Sequence, residues 1–152
     1  IQLSRRPDKH EARSYDIIFL GGGLANALIS YRLNLTHKHL KTLMVEANDS
    51  LGGNHTWSFH DNDVSLDWAK TFISKSWPQY EVRFPHYSRT LPSPYHSIRS
   101  QDFSKKILAS LPPSLVKLGA RAAHVEGNLV TLGDGSKLSG RAIIDGRGFT
   151  PI

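Results

Sequence analysis

Three consecutive glycines, Gly21, Gly22 and Gly23, stand between an apolar run and a segment with helical spacing, and that context gives them a chemistry. Gly21 permits a tight turn, Gly23 lets backbone N–H groups approach an anion, and the positive end of the following helix favours a pyrophosphate. The helix-opening residues Leu24, Ala25 and Asn26 complete the candidate phosphate cradle. Asn26 replaces the usual third glycine, which is expected to loosen the contact between helix and strand, although Ala25 and Ala27 are small. Glu46 closes the next apolar run, roughly the 20 residues downstream at which a carboxylate accepts from ribose hydroxyls and repels a 2′-phosphate. Together these residues predict an adenine dinucleotide site.

The elements that must position them can be read from apolar spacing. Residues 15–20 form a β-rich run, 24–35 carry apolar residues at helical intervals, and 42–45 resume as a strand, so 15–46 is a βαβ unit with strands covered on both faces. Residues 47–65 read as loop, 66–76 as a helix stopped by Pro78, 80–84 as a half-exposed strand, and 101–111 as a helix stopped by Pro112 and Pro113. Pro92 and Pro94 punctuate the stretch between. Short β segments follow at 115–118, 122–126, 129–132 and 137–138, separated by Gly127-Asn128 and the turn 133–136, before a last strand at 141–144 that ends in Asp145-Gly146.

A polar leader over 1–14 precedes one domain over 15–152, made of the βαβ unit over 15–46, an inserted segment over 47–113, and a hairpin and return strand over 114–152. An NAD-type domain would continue with βα repeats, whereas this chain inserts a mixed segment and returns through a hairpin. That layout predicts an α/β fold, a Rossmann-like FAD-binding domain of the glutathione-reductase type with an inserted α+β segment. Asp145 and Gly146 are then expected beside the cofactor.

Composition narrows the classes further. With 39% apolar and 21% charged residues, the chain is too apolar for a disordered protein, and its longest nearly apolar run, 17–29, is well short of the roughly twenty residues that span a bilayer. Cysteine is absent, which excludes disulfides, thiolate metal ligands and a Cys nucleophile; no metal site is expected. The first residues are charged and unlike a secretory signal, and without an initiator Met the chain reads as part of a longer protein. The net charge of +6 is local: residues 68–121 hold nine Lys or Arg against Glu81 and Asp102. Most of the aromatics fall between Trp57 and Phe103, so cations and rings interleave as they do on membrane-facing surfaces and in single-strand nucleic-acid grooves.

The stretches 52–60, 77–85 and 144–148, with the Gly21–Asn26 turn, resemble in order and spacing the N-terminal part of bacterial lycopene β-cyclases. The resemblance covers residues 15–149 and includes Asn26 as the family's own variant. It implies a non-redox reaction in which an acid protonates the ψ-end of lycopene, the cation closes a ring, and loss of a proton leaves a β-ionone ring, with FAD required in its reduced form. It further implies a general acid outside this chain, a fragment inactive alone, and a cytoplasmic enzyme held peripherally at the membrane where lycopene resides, with no nucleic-acid partner. Trp57 and Phe59 are candidate aromatic faces for the cation, and His55 and His60 candidate orienting groups near the flavin.

Two other classes fit parts of the pattern. An FAD-dependent monooxygenase or prenyl reductase would share the dinucleotide site, but the Asn54-His55-Thr56-Trp57 cluster argues against it. A non-catalytic nucleotide-binding module is supported only by the basic segment, and flavin absorbance separates it from the rest.

Overall fold

The computed structural model describes residues 13–63 and 67–148. Most of the polar leader, the start of the helix expected at 66 and the last four residues lie outside the described residues.

The βαβ unit folds as its spacing predicts. Strand β1 (Arg13–Leu20) runs into the glycines, helix α1 (Leu24–Thr36) follows, and β2 (Thr42–Val45) lies parallel to β1. Ile18 and Leu20 join Leu43 and Val45 in one core, while Phe19 and Met44 join Ala27 of α1 in the other. Alternate side chains of each strand therefore fill opposite faces, and both faces are dry.

The inserted segment departs further from expectation. β3 (Thr56–His60) lies within the stretch read as loop. The helix expected to continue to residue 76 ends far earlier, as α2 (Asp67–Lys70), and β4 (Lys75–Trp77) takes its place. Tertiary contacts override the weak helical pattern: Phe72 is drawn against Tyr31 and Phe103, with ring centroids 5.0 and 5.2 Å away, and Ser74 N–H donates to Ser97 O. β5 (Tyr80–Phe84) matches the alternation, but its hairpin partner β6 (Tyr87–Leu91) was not foreseen. β7 (Tyr95–Arg99) starts directly after Pro94, where the missing N–H interrupts no ladder, and α3 (Ser100–Ser110) answers the second expected helix. β3, β7 and β4 form an antiparallel sheet in the order β3-β7-β4, while β5 and β6 form a hairpin of their own.

β8 (Val116–Lys117), β9 (Ala122–Glu126) and β10 (Leu129–Leu132) lead to β11 (Lys137–Asp145). The two short strands expected at 137–138 and 141–144 are one. Gly140 sits within it because a Cβ there would approach Ile18 Cγ1 of β1 to 3.0 Å. The main sheet has the order β8-β2-β1-β11-β10-β9, parallel from β8 to β11 and antiparallel beyond. Leu20 pairs with both Val45 and Asp145, so β1, β2 and β11 finish level with one another at the edge where the glycine turn begins.

Candidate functional site

The order of the sheet reverses between β1 and β11, and an open α/β sheet binds its ligands at the C-terminal edge of the strands beside such a reversal. The glycine turn occupies this point. Gly21 has φ +88°, and a Cβ on it would come within 3.0 Å of Gly146 O and Arg147 Cα, so both backbone conformation and space require glycine. Gly22 is equally constrained, since a Cβ would run into Leu51 and lie 3.2 Å from Glu46 Oε2. Gly23 differs: a Cβ there would meet nothing within 4 Å. Gly23 is also the N-cap of α1 and offers no side chain to the first-turn N–H groups, and no acidic residue lies in that turn. The helix thus presents its donors to an open space in front of Gly23, which suits an anionic group.

Glu46 is buried at the end of β2. Its Oε2 accepts from Gly22 N–H at 2.6 Å, and its Oε1 accepts from Asn48 N–H and Asn48 Nδ2, both at 2.8 Å. The carboxylate is locked by the turn it faces, and with about four acceptor sites it keeps lone pairs free for a ligand hydroxyl.

Asn26 corrects an expectation. Rather than loosening helix against strand, its Nδ2 donates to Leu20 O and Gly21 O, both at 2.9 Å, and fastens α1 to the end of β1. Gly146 is the counterpart of this substitution, because a Cβ on it would lie 2.7 Å from Asn26 Nδ2. The space that a third glycine would have left is thereby provided by Gly146, just past the end of β11. Gly146 N–H donates to Leu20 O at 2.8 Å, completing the junction.

Asp145 adjoins this turn, but it turns to Arg147. The guanidinium donates through Nε to Oδ1 at 2.9 Å and through Nη2 to Oδ2 at 2.7 Å, while Nη1 donates to Ala122 O at 3.0 Å. This fork holds the Asp145 carboxyl below its ordinary pKa and raises that of Arg147. A cavity of about 230 Å³ opens here, walled by Gly21, Glu46, Asn48, Ala120 and Arg147 among others. Ala122 and Arg147 also line an adjoining cavity of about 600 Å³. Gly22, Asn48 and Arg147 belong to the site although sequence reasoning did not single them out. Gly22 stands in the glycine run itself and Arg147 in the 144–148 stretch, but neither spacing nor residue type assigned them a role.

The candidates on and beside β3 divide. Trp57 packs edge-on to Phe103 with centroids 5.5 Å apart, and a Cβ on Gly52 would lie 2.8 Å from its Cη2. Since Gly52 N–H donates to Gly22 O at 2.8 Å, Trp57 buttresses the glycine turn through one residue. Phe59 packs on the His96 ring, and both Trp57 and Phe59 border the core. His55 is exposed, tied by its backbone to Ser100. His60 lies at the far end of the strand between Tyr80 and Tyr95, with centroids 4.8 and 5.0 Å away, and its Nδ1 is buried without a partner among the described residues. The His55 and Trp57 rings are neighbours, with centroids 6.1 Å apart, whereas Phe59 and His60 pack against other partners. Asp61, next to His60, accepts from Lys70 and from His96 Nε2, both at 3.1 Å, and Lys70 followed by His96 holds its carboxyl below the usual range.

The sequence profile of a family described as lycopene cyclase protein matches residues 16–151. A lycopene beta-cyclase of Pseudescherichia vulneris is 41% identical over 138 residues, covering 89% of this chain and 36% of its own length. The lycopene beta-cyclase of Paracoccus sp. (strain N81106 / MBIC 01143) is 33% identical over 147 residues, again with 36% of its length covered. The chain thus spans about a third of the length of the curated relatives it matches. Among solved structures, p-nitrophenol 4-monooxygenase of Pseudomonas putida superposes with a TM-score of 0.67 at 10% identity, covering 88% of this chain and 41% of that one. An FAD-dependent oxidoreductase of Pseudomonas aeruginosa gives 0.57 at 16%, covering 89% and 48%. At these identities the likeness is one of fold, a mixed α/β domain built on a parallel sheet. Because the matched region takes in the glycine turn, Glu46 and the Asp145–Arg147 fork together, the chain belongs to the lycopene cyclase family.

Proposed function

We propose that this chain is the FAD-binding portion of a lycopene β-cyclase and that its fold is of the glutathione-reductase type. The observation that carries the reading is the open space before Gly23, bounded by the α1 N-terminus and by a Glu46 already locked onto Gly22. The first-turn N–H groups of α1 would hold the pyrophosphate, Glu46 would accept from the ribose, and Arg147 would close the nucleotide pocket from the β11 side. The reduced flavin would supply negative charge near a carbocation in a site shielded from water.

This chain's residues otherwise bind and orient. Asp61 is engaged by Lys70 and His96, and the general acid is placed in the remainder of a full-length enzyme. The 152 residues alone are accordingly expected to cyclise no lycopene. The proposed working place is the cytoplasmic face of the membrane, where the ψ-end substrate is dissolved. Titration with FAD, followed by flavin fluorescence, tests the site: Gly23→Val should abolish binding while leaving the fold intact, because its Cβ clashes with nothing in the protein. Glu46→Ala should weaken binding by about 1–3 kcal/mol, the scale of a lost charge-assisted hydrogen bond. Equal affinity in wild type and Gly23→Val would refute the reading.

A further inference from the structure

The β5–β6 hairpin is two-faced. Its register pairs Tyr80 with Leu91, Val82 with Arg89 and Phe84 with Tyr87, so these six side chains share one face. The opposite face holds Glu81, Arg83, Ser88 and Thr90, where Glu81 Oε1 accepts from Arg83 Nε and Ser88 Oγ, both at 2.8 Å. At the base, the first face rests on aromatic rings of the neighbouring sheet, because Tyr80 meets His60 and Tyr95. His60, Tyr95 and Trp77 are themselves cross-strand neighbours, so the strip of rings continues onto that sheet. Towards the tip it leaves the protein: Phe84 is 63% and Tyr87 56% exposed, and Trp77 is 42% exposed.

Two large rings side by side at a hairpin tip are unusual on a surface bathed only by water, and a two-stranded hairpin is marginal by itself. The charges beside the strip indicate what covers it. Arg89, among the apolar residues of the face, and Lys75, on β4, have no carboxylate partner among the described residues, whereas Arg83 on the polar face is paired. Rings flanked by unpaired cations match the boundary between acyl chains and anionic headgroups.

We propose that the β5–β6 hairpin is the element through which this protein meets an anionic lipid surface, with Phe84 and Tyr87 at the level of the headgroups and Arg89 on a lipid phosphate. The proposal rests on the lycopene cyclase reading, which requires access to a membrane-dissolved hydrocarbon, and it makes that access local to one hairpin. No helix among the described residues is long and apolar enough to cross a membrane.

The test is co-sedimentation of the chain, without FAD or carotenoid, with vesicles of phosphatidylethanolamine and phosphatidylglycerol. The double variant Phe84→Ser/Tyr87→Ser should lower the partition coefficient about tenfold and Arg89→Gln about fivefold, with the latter loss erased on vesicles of phosphatidylcholine alone. Arg83→Gln removes the same charge from the opposite face and should change binding by less than about twofold. All four side chains are exposed, and circular dichroism of each variant checks that the hairpin keeps its strands. Undiminished binding of the double variant, or an Arg83→Gln loss equal to that of Arg89→Gln, would overturn the assignment, as would sedimentation velocity revealing a dimer of the wild type that the double variant dissolves. Because the assay contains no flavin, a failed FAD titration leaves its outcome untouched, and an intact FAD site beside failed vesicle binding sinks the hairpin alone.

Discussion

Around Gly21 the molecule works by leaving atoms out, whereas around β3 it works by filling space. At the turn, Gly21, Gly22 and Gly146 each face another group so closely that a single carbon would displace it, and the polar contacts run through backbone N–H groups and one buried carboxylate. In the inserted sheet, Trp57, Phe72 and Phe103 interlock edge-to-face, and glycine matters mainly where a ring touches it. The first region should therefore fail when atoms are added and the second when they are removed. They meet at Gly52, whose N–H bonds Gly22 and whose Cα faces Trp57.

The largest effect is expected at Gly21. Gly21→Val combines a left-handed backbone with overlap against the backbone of Gly146 and Arg147, and should cost about 3–5 kcal/mol in denaturant unfolding. Gly23→Val, two residues on, loses only a favourable N-cap residue and should cost about 1 kcal/mol or less. If the two variants were equally destabilised, the distinction between a structural and a ligand-facing glycine would collapse. Next comes Trp57→Ala, which removes a half-buried ring from Phe103 and should cost about 2–3 kcal/mol. It sharpens the comparison if the backbone amide of Gly52 also loses protection in hydrogen exchange, since the ring is what holds that loop against Gly22.

The smallest effect concerns one carboxylate from each region. Asp145 and Asp61 both lie below the ordinary value of 3.8, the first through Arg147 and the second through Lys70 and then His96. A carboxyl depressed in the folded state adds its stability in full above that value and loses it as pH falls through the lower, folded one. Asp145→Asn and Asp61→Asn should thus be less stable than wild type at pH 7, and each deficit should shrink to nothing on acidification below 3.8. Thermal melts across pH 2–7 read this, and a deficit that persisted at pH 2 would point to lost packing instead. High salt should erase the Asp61 difference before that of Asp145, whose two parallel bonds are set by geometry.

The βαβ unit was legible in the sequence because its signals are local: an apolar strand, a glycine turn, helical spacing and a strand-terminal Glu46. The hairpins after residue 121 were legible for the same reason. β3 and β7 were not, because their partners come from distant chain and their composition, with Ser58, His60, His96 and Ser97, follows cross-strand contacts instead of propensity. Pro94 looked like a breaker and proved to be a strand's threshold. Asn26 was found but misread, since its compensation at Gly146 lies just past β11, far along the chain. Arg147 shows the same limit, for its two partners, Asp145 and Ala122 O, meet only when β9 and β11 share a sheet.

The parallel pairing of β1 with β11, Arg13 opposite Leu138, also has a consequence for how the protein is made. During synthesis β1 can find β2 almost at once, but its other edge waits until β11 emerges, on the order of ten seconds later at typical rates of about 5–20 residues per second. Throughout that interval the nascent chain carries an apolar strand, Ile17 to Leu20, with one row of backbone groups unpaired. A holding chaperone at the ribosome would find its target there, in a strand whose Ile18, Phe19 and Leu20 the finished protein buries fully.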